Sequence, residues 1–89
     1  MASSDAPPFV LSEHAAEVVR ERQIRMEWIA AVLAQPAISH PDKDDQAVQH
    51  VLARIPEFGG RVLRVVYNPS TSPVRVVTVY FDRSMKDRL

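Results

Sequence analysis

The stretch "GGRVLRVVYNPSTSPVRVVTVYFDR", Gly59 to Arg83, decides the fold. Two runs within it, Val62 to Tyr67 and Val74 to Phe81, are dense in β-branched and aromatic residues, the composition of half-buried strands. Asn68-Pro69 and Ser72-Pro73 between them are turn chemistry, and so short a connection joins antiparallel strands, since a parallel pair needs a longer crossover. Gly59-Gly60 marks a tight turn into this hairpin. Alternation then assigns faces. Leu63, Val65, Val77, Val79 and Phe81 form the greasier set and are expected against the core, with Arg75 falling on their side near the loop and reaching out to solvent. Arg64, Thr78 and Tyr80 share the opposite face, which is apolar yet carries a planar cation and a phenol. A one-residue slip would scramble this, and the loop length leaves the register open.

Upstream, Ser12 is a good N-cap with Glu13 in the first turn, where the helix dipole favours a carboxylate. Ala15, Val18, Val19 and Arg22 fall at i, i+3, i+4 and i+7 on one face, so a helix runs to about Arg22. A second spans about Met26 to Ala34, with Trp28, Ile29, Val32 and Leu33 as its apolar face and Pro36 beyond its end. The short link between them predicts an antiparallel helix hairpin. Ser39 to Asp45 reads as a polar loop. The segment "QAVQHVLARI" (46–55) is ambiguous: Ala47, Val48, Val51, Leu52 and Ile55 fit a helical stripe, while Val51, Ala53 and Ile55 alternate as in a strand. Periodicity alone leans to helix.

Eighty-nine residues hold one domain, here 9–89, behind a small, polar, proline-bearing arm (1–8) expected to be disordered. A chain this short buries only roughly 60–65% of the surface its unfolded form exposes, so a partner or a homodimer is expected. The absence of cysteine excludes disulfides and thiol chemistry. No apolar run approaches the roughly 20 residues of a membrane span, and "MASSDAPP" lacks the features of a signal peptide, so the expectation is a cytoplasmic protein with no membrane partner. Charge is unevenly spread: residues 1–60 carry five cations against nine anions, and residues 61–89 six against two, for a net charge of zero. The basic third can bind an anion or complement the acidic part across one core.

The segments "FVLSEHAAEVVRERQIRMEWIAAVLAQP", "RIPEFGGRVLRVVYN" and "VVTVYFDR" together resemble the DUF4258 family. The motifs that carry the likeness are Ser12, Glu13, His14 and Ala15 at a helix start, Arg22, Gln23 and Ile24 before the second helix, Arg61 to Val66, and Val77 to Tyr80. Gln23 departs from the family where a glycine terminator is common, and Arg25 where a Ser, Thr or Asp cap is usual. The family looks like a relative of BrnT and, more distantly, of the RelE/ParE toxins. The resemblance implies an α+β fold with a short N-terminal strand and a two-helix hairpin packed on a three- to four-stranded antiparallel sheet, and it makes "QHVLARI" a strand. It also implies a toxin-like component of a bacterial type II toxin–antitoxin system that binds or cleaves mRNA, with RNA or the ribosome and an antitoxin protein as partners. The alternative is a non-catalytic interaction or dimerisation module.

Residue roles come from chemistry. Arg64, Arg54 and Arg61 are the phosphate-binding candidates, because a guanidinium can clamp a phosphate through two nitrogens; each can instead pair with a protein carboxylate or lie in solvent. His50 is the candidate general acid/base, Tyr80 a proton donor to a leaving oxygen, and Arg83 a transition-state cation, with a local pair to Asp82 as its alternative. His14, in the first turn of a helix, is assigned a structural role. His40, Asp42, Asp44 and Asp45 have ligand chemistry, but their spacing matches no known metal loop, so neither a metal nor another cofactor is expected.

Overall fold

Ser12 starts the first helix as its sequence position demands: its hydroxyl oxygen accepts the Ala15 N–H at 3.0 Å. That bond anchors the N-terminal part of the fold in the computed structural model, which describes residues 6–89. Strand β1 (Phe9–Leu11) leads into helix α1 (Glu13–Arg22), followed by α2 (Met26–Ala34), β2 (Ile38–Pro41), β3 (Gln49–Ile55), β4 (Arg61–Asn68) and β5 (Val74–Phe81). Short 3-10 turns at Pro56–Phe58 and Arg83–Met85 precede β4 and follow β5. Of the expected arm, residues 1–5 lie outside those described. Ala6 already packs against the core, and the Pro8 carbonyl accepts the Val74 N–H at 3.0 Å.

The architecture is two helices on one mixed five-stranded sheet of order β1-β5-β4-β3-β2. The expected sheet had three or four antiparallel strands, and two features correct it. β1 adds to β5 in parallel, and β2 extends the other edge antiparallel to β3. β2 falls in the segment read as a polar loop; its residues Ser39, His40 and Pro41 are exposed, as an edge strand permits, and give no hydrophobic alternation. Residues 49–55 are a strand, so β-pairing overrides the helical stripe there. α1 packs on β5 and α2 on β3 and β4, so the helices meet the sheet more than each other.

Both helix departures have visible geometry. Gln23 ends α1 in the left-handed region at φ 56°, the conformation that glycine adopts without a Cβ penalty. Arg25 precedes α2 with no side-chain cap bond.

One sheet face carries the main core: Ile29, Val32 and Leu33 from α2 meet Leu63 and Val65 of β4 and Val76 and Val79 of β5. Trp28 stacks on Phe58 at 5.1 Å and meets Phe81 edge-on at 6.1 Å, closing one end. The buried Trp28 Nε1–H has no hydrogen-bond partner among the described residues. The β4–β5 register pairs Leu63 with Phe81, Arg64 with Tyr80 and Val65 with Val79, as the greasy-face alignment requires. A β-bulge then intervenes: Val66 pairs with Thr78 but Tyr67 pairs with Val76. The extra residue is Val77, which points outward and is 37% exposed, while Val76 is fully buried. The expectation of Val77 in the core is thereby overturned, and Arg75 moves to the outer face.

The outer face is not simply solvated. Leu52, Val62 and Val66 are buried there, outside the helix-covered core.

Candidate functional site

Register alone gathers polar side chains around these three apolar residues. Arg64 lies across from Leu52 on one side and Tyr80 on the other, and His50 lies between Val66 and His40. The Asp42 backbone N–H donates to the Val48 carbonyl at 2.8 Å, which closes the β2–β3 connection and sets the Asp42 carboxylate beside His50.

Arg64 is the hub. Its Nε and Nη2 donate to the same oxygen of Asp82, Oδ2, at 3.0 and 2.7 Å. Its Nη1 lies 2.8 Å from His50 Nδ1 and 3.5 Å from His40 Nε2. A guanidinium nitrogen can only donate, so both ring nitrogens present lone pairs to it. The opposite nitrogens then carry the protons. His50 Nε2–H donates to Asp42 Oδ1 at 2.7 Å, and His40 Nδ1–H donates to the Pro41 carbonyl at 2.9 Å. The two imidazoles stack at 5.0 Å. The contacts to Arg64 and Asp42 on opposite ring nitrogens orient the His50 imidazole. The Arg64 guanidinium carbon also stands 5.9 Å from the centre of the Tyr80 ring.

The two acids are held ionised. The hydrogen bond from His50, then the Asp44 and Asp45 backbone N–H groups, keep the Asp42 carboxyl below the usual carboxylate range. For Asp82 the first cause is the Ser84 hydroxyl at 2.6 Å, with Arg64 next and burial opposing both. Arg64 and Asp82 side chains are only 13% and 11% exposed, so their pairing takes place largely out of water.

The remaining candidates separate. Arg54 lies on the outer face opposite Val62, and its guanidinium donates to the backbone carbonyls of Gly60 at 2.8 Å, Leu89 at 3.1 Å and Lys86. It fastens the C-terminal segment to the sheet. Arg61, at the start of β4, stacks over Phe58 at 4.6 Å. Arg83, in the last 3-10 turn, has no ionic partner among the described residues, because Asp82 is bound to Arg64 and Ser84 instead. His14 is 3.1 Å from the Thr78 hydroxyl, which joins α1 to β5. The site thus brings together Arg64, His50 and Tyr80, and places Arg54, Arg61 and Arg83 outside the hub.

His40, Asp42 and Asp82 belong to the cluster and were not singled out from the sequence as members of it. In the sequence His40 and Asp42 fall in the segment that reads as a polar loop. The signal that finds them is the short separation of "HPDKDD" from His50, which suits a hairpin that would face His40 to His50. Among the described residues no group of three or more acids, histidines or cysteines is arranged to hold a metal ion.

The chain matches the model of one protein family, described as a domain of unknown function, DUF4258, over residues 11–81. The chain belongs to the DUF4258 family. No curated protein and no solved structure matches it. The matched span runs from Leu11 to Phe81, so it covers the hub residues Arg64, His50, His40, Asp42 and Tyr80 of this DUF4258 domain and stops one residue short of Asp82. No helix among the described residues is long and apolar enough to cross a membrane.

Proposed function

We propose that this DUF4258 domain binds RNA on its outer sheet face and cleaves it, as the toxin-like component of a bacterial type II toxin–antitoxin system. The observation that carries this reading is the chain Asp42–His50–Arg64–Asp82. An acid fixes the tautomer of a histidine whose other nitrogen keeps its lone pair, the arrangement that makes imidazole a base in acyl-transfer triads. A cation stands at that lone pair. The kinship with BrnT and RelE/ParE toxins implied by the sequence motifs points to the same chemistry.

In the proposed reaction an RNA phosphodiester draws the Arg64 Nη1 toward its non-bridging oxygens and frees His50 Nδ1. His50 takes the proton of the ribose 2′-hydroxyl. The 2′-oxygen attacks the adjacent phosphorus, a 2′,3′-cyclic phosphate forms, and the bond from phosphorus to the 5′-oxygen breaks. Tyr80 hands its phenolic proton to that leaving oxygen, while Arg64 holds the charge that develops on phosphorus. His40, stacked on His50, keeps the ring in plane.

Expression of the wild-type chain is expected to arrest growth, with cyclic-phosphate RNA ends appearing in purified reactions. His50→Ala and Tyr80→Phe should each abolish both while remaining folded. Growth arrest that survives both substitutions would remove the proposed site. A second reading, a non-catalytic docking module, is favoured by the outer-face exposure of Val10, Val77 and Tyr80 at the β1–β5 side. Absence of cleavage by the wild-type protein, together with binding to a neighbouring gene's product that is lost in Val77→Asp, would select it.

A further inference from the structure

Beside the hub, between the start of β4, the end of β5 and the C-terminal segment, lies a cleft of about 580 Å³. That is within the size range of small-molecule sites. Arg61, Arg83 and Lys86 line it, and none of these side chains has a hydrogen-bond or ionic partner among the described residues. Half-buried Phe81 supplies an apolar wall, with the buried Val62 beside it. Two acids also line the cleft, Asp82 and Asp87. Both oxygens of Asp82 are already engaged, Oδ2 by Arg64 and Oδ1 by Ser84, so its charge is matched from outside the cleft. The remaining balance is three cations against Asp87.

We propose that this cleft holds the terminal phosphate of a nucleotide, with the base against Phe81. The charge decides between phosphate types. A phosphate monoester carries close to two negative charges near neutral pH, a diester only one. A net of two uncompensated cations matches the monoester. Arg61 and Arg83 offer forked donors and Lys86 a point charge. Arg54 is a positioning residue here: by bonding the Lys86 and Leu89 carbonyls it holds the wall that carries Arg83 and Lys86. This assignment rests on the RNA-binding reading above and specifies the end of the strand that the domain grips. The same chemistry is also met by a free mononucleotide.

Binding is measured by fluorescence anisotropy and calorimetry with four probes: uridine, uridine 5′-monophosphate, and hexauridylate with and without a 5′-phosphate. The phosphorylated member of at least one pair is expected to bind about tenfold tighter than its hydroxyl counterpart, the size of one charge-assisted hydrogen bond. Equal gains for monophosphate and hexamer identify a free nucleotide as ligand, and a gain for the hexamer alone identifies an RNA end. Arg83→Ala and Lys86→Ala should each lower the phosphorylated probe's affinity about tenfold without changing the melting temperature, since neither side chain has a partner to lose. Arg54→Ala should weaken it too, although it removes no lining cation. Equal binding of phosphorylated and hydroxyl probes, or full affinity in both cleft variants, overturns the proposal. No cleavage is read in this assay, so a failure of the cleavage mechanism leaves its outcome intact and separately visible.

Discussion

Arg64 and Asp82 meet through a two-nitrogen grip on a single carboxylate oxygen, with Nε at 3.0 Å and Nη2 at 2.7 Å. Both side chains are nearly out of solvent. Losing one partner therefore strands the other charge in a poorly solvated place, which is where the cost of breaking an ion pair arises. Arg64→Ala is expected to lower stability by about 2–3 kcal/mol in urea unfolding, and Asp82→Ala by a similar amount. Arg64→Leu with Asp82→Leu should be less damaging than the two single losses added together. Strict additivity would mean that the pair has no coupling. Lysine cannot reproduce the fork, so Arg64→Lys should fall on the destabilised side.

The same acids set the acid limit. Both Asp42 and Asp82 have carboxyl groups lowered below their value in an unfolded chain. A depressed folded-state value contributes stability that is fully present above the unfolded value, near 3.8, and is lost as pH falls through the folded one. The melting temperature should therefore fall below about pH 4. Asp82→Asn and Asp42→Asn should start lower at neutral pH and decline less steeply in acid. An acid limb identical to wild type in both variants would show that these groups do not govern it.

Helix ends offer stabilising changes. Gln23 holds φ at 56°, so Gln23→Gly should raise stability by about 0.5–1 kcal/mol, against the usual direction for glycine. Arg25→Asp supplies the missing cap of α2 and should add about 0.5–1 kcal/mol, for the modest loss of an exposed pair to Glu27. Thermal melts check both, and destabilisation by Gln23→Gly would contradict the left-handed C-cap.

The bulge in β5 can be read by polarity. Val76→Thr puts a hydroxyl into the core and should cost about 1–3 kcal/mol, whereas Val77→Thr on the outer face should stay within about 0.5 kcal/mol of wild type. An unbulged strand predicts the reverse order.

That bulge also marks how far the sequence could be followed. Alternation places Leu63, Val65, Val79 and Phe81 on the core face, the helix over 13–22 follows from spacing and the Ser12 cap, and that over 26–34 from spacing and Pro36, because each local signal agrees with the packing it serves. A bulge leaves no composition signal in "VRVVTV", where each frame holds two valines and one polar residue, Val74, Val76 and Thr78 against Arg75, Val77 and Val79. β2 stayed hidden because an edge strand needs no hydrophobic face. For 49–55 the helical stripe was genuine but lost to pairing with β4, which buries Val51 and Ile55 on one face and Leu52 on the other. Of the site, Arg64, His50 and Tyr80 are legible from the chemistry of their side chains. Their shared neighbours His40 and Asp42 required the β2–β3 register, and Asp82 was assigned to its sequence neighbour because proximity along the chain gives no direction in space.

β1 adds a matter of timing. It is only three residues long and pairs in parallel with a strand more than sixty residues later, Phe9 opposite Val74. The β3–β4–β5 meander closes through local turns, so it can assemble before any of that long loop is closed. β1 then docks last and is held by few bonds, among them the Pro8 carbonyl to Val74 and the Ser12 N–H to the Val76 carbonyl. Amide exchange at Ser12 and Val74 should proceed by local opening, well ahead of Val65 in the central strand. The chain thus has a nucleus in its C-terminal half and a late latch at its front, and slowing the latch, for example with Leu11→Ala, should speed unfolding while leaving the refolding rate nearly unchanged.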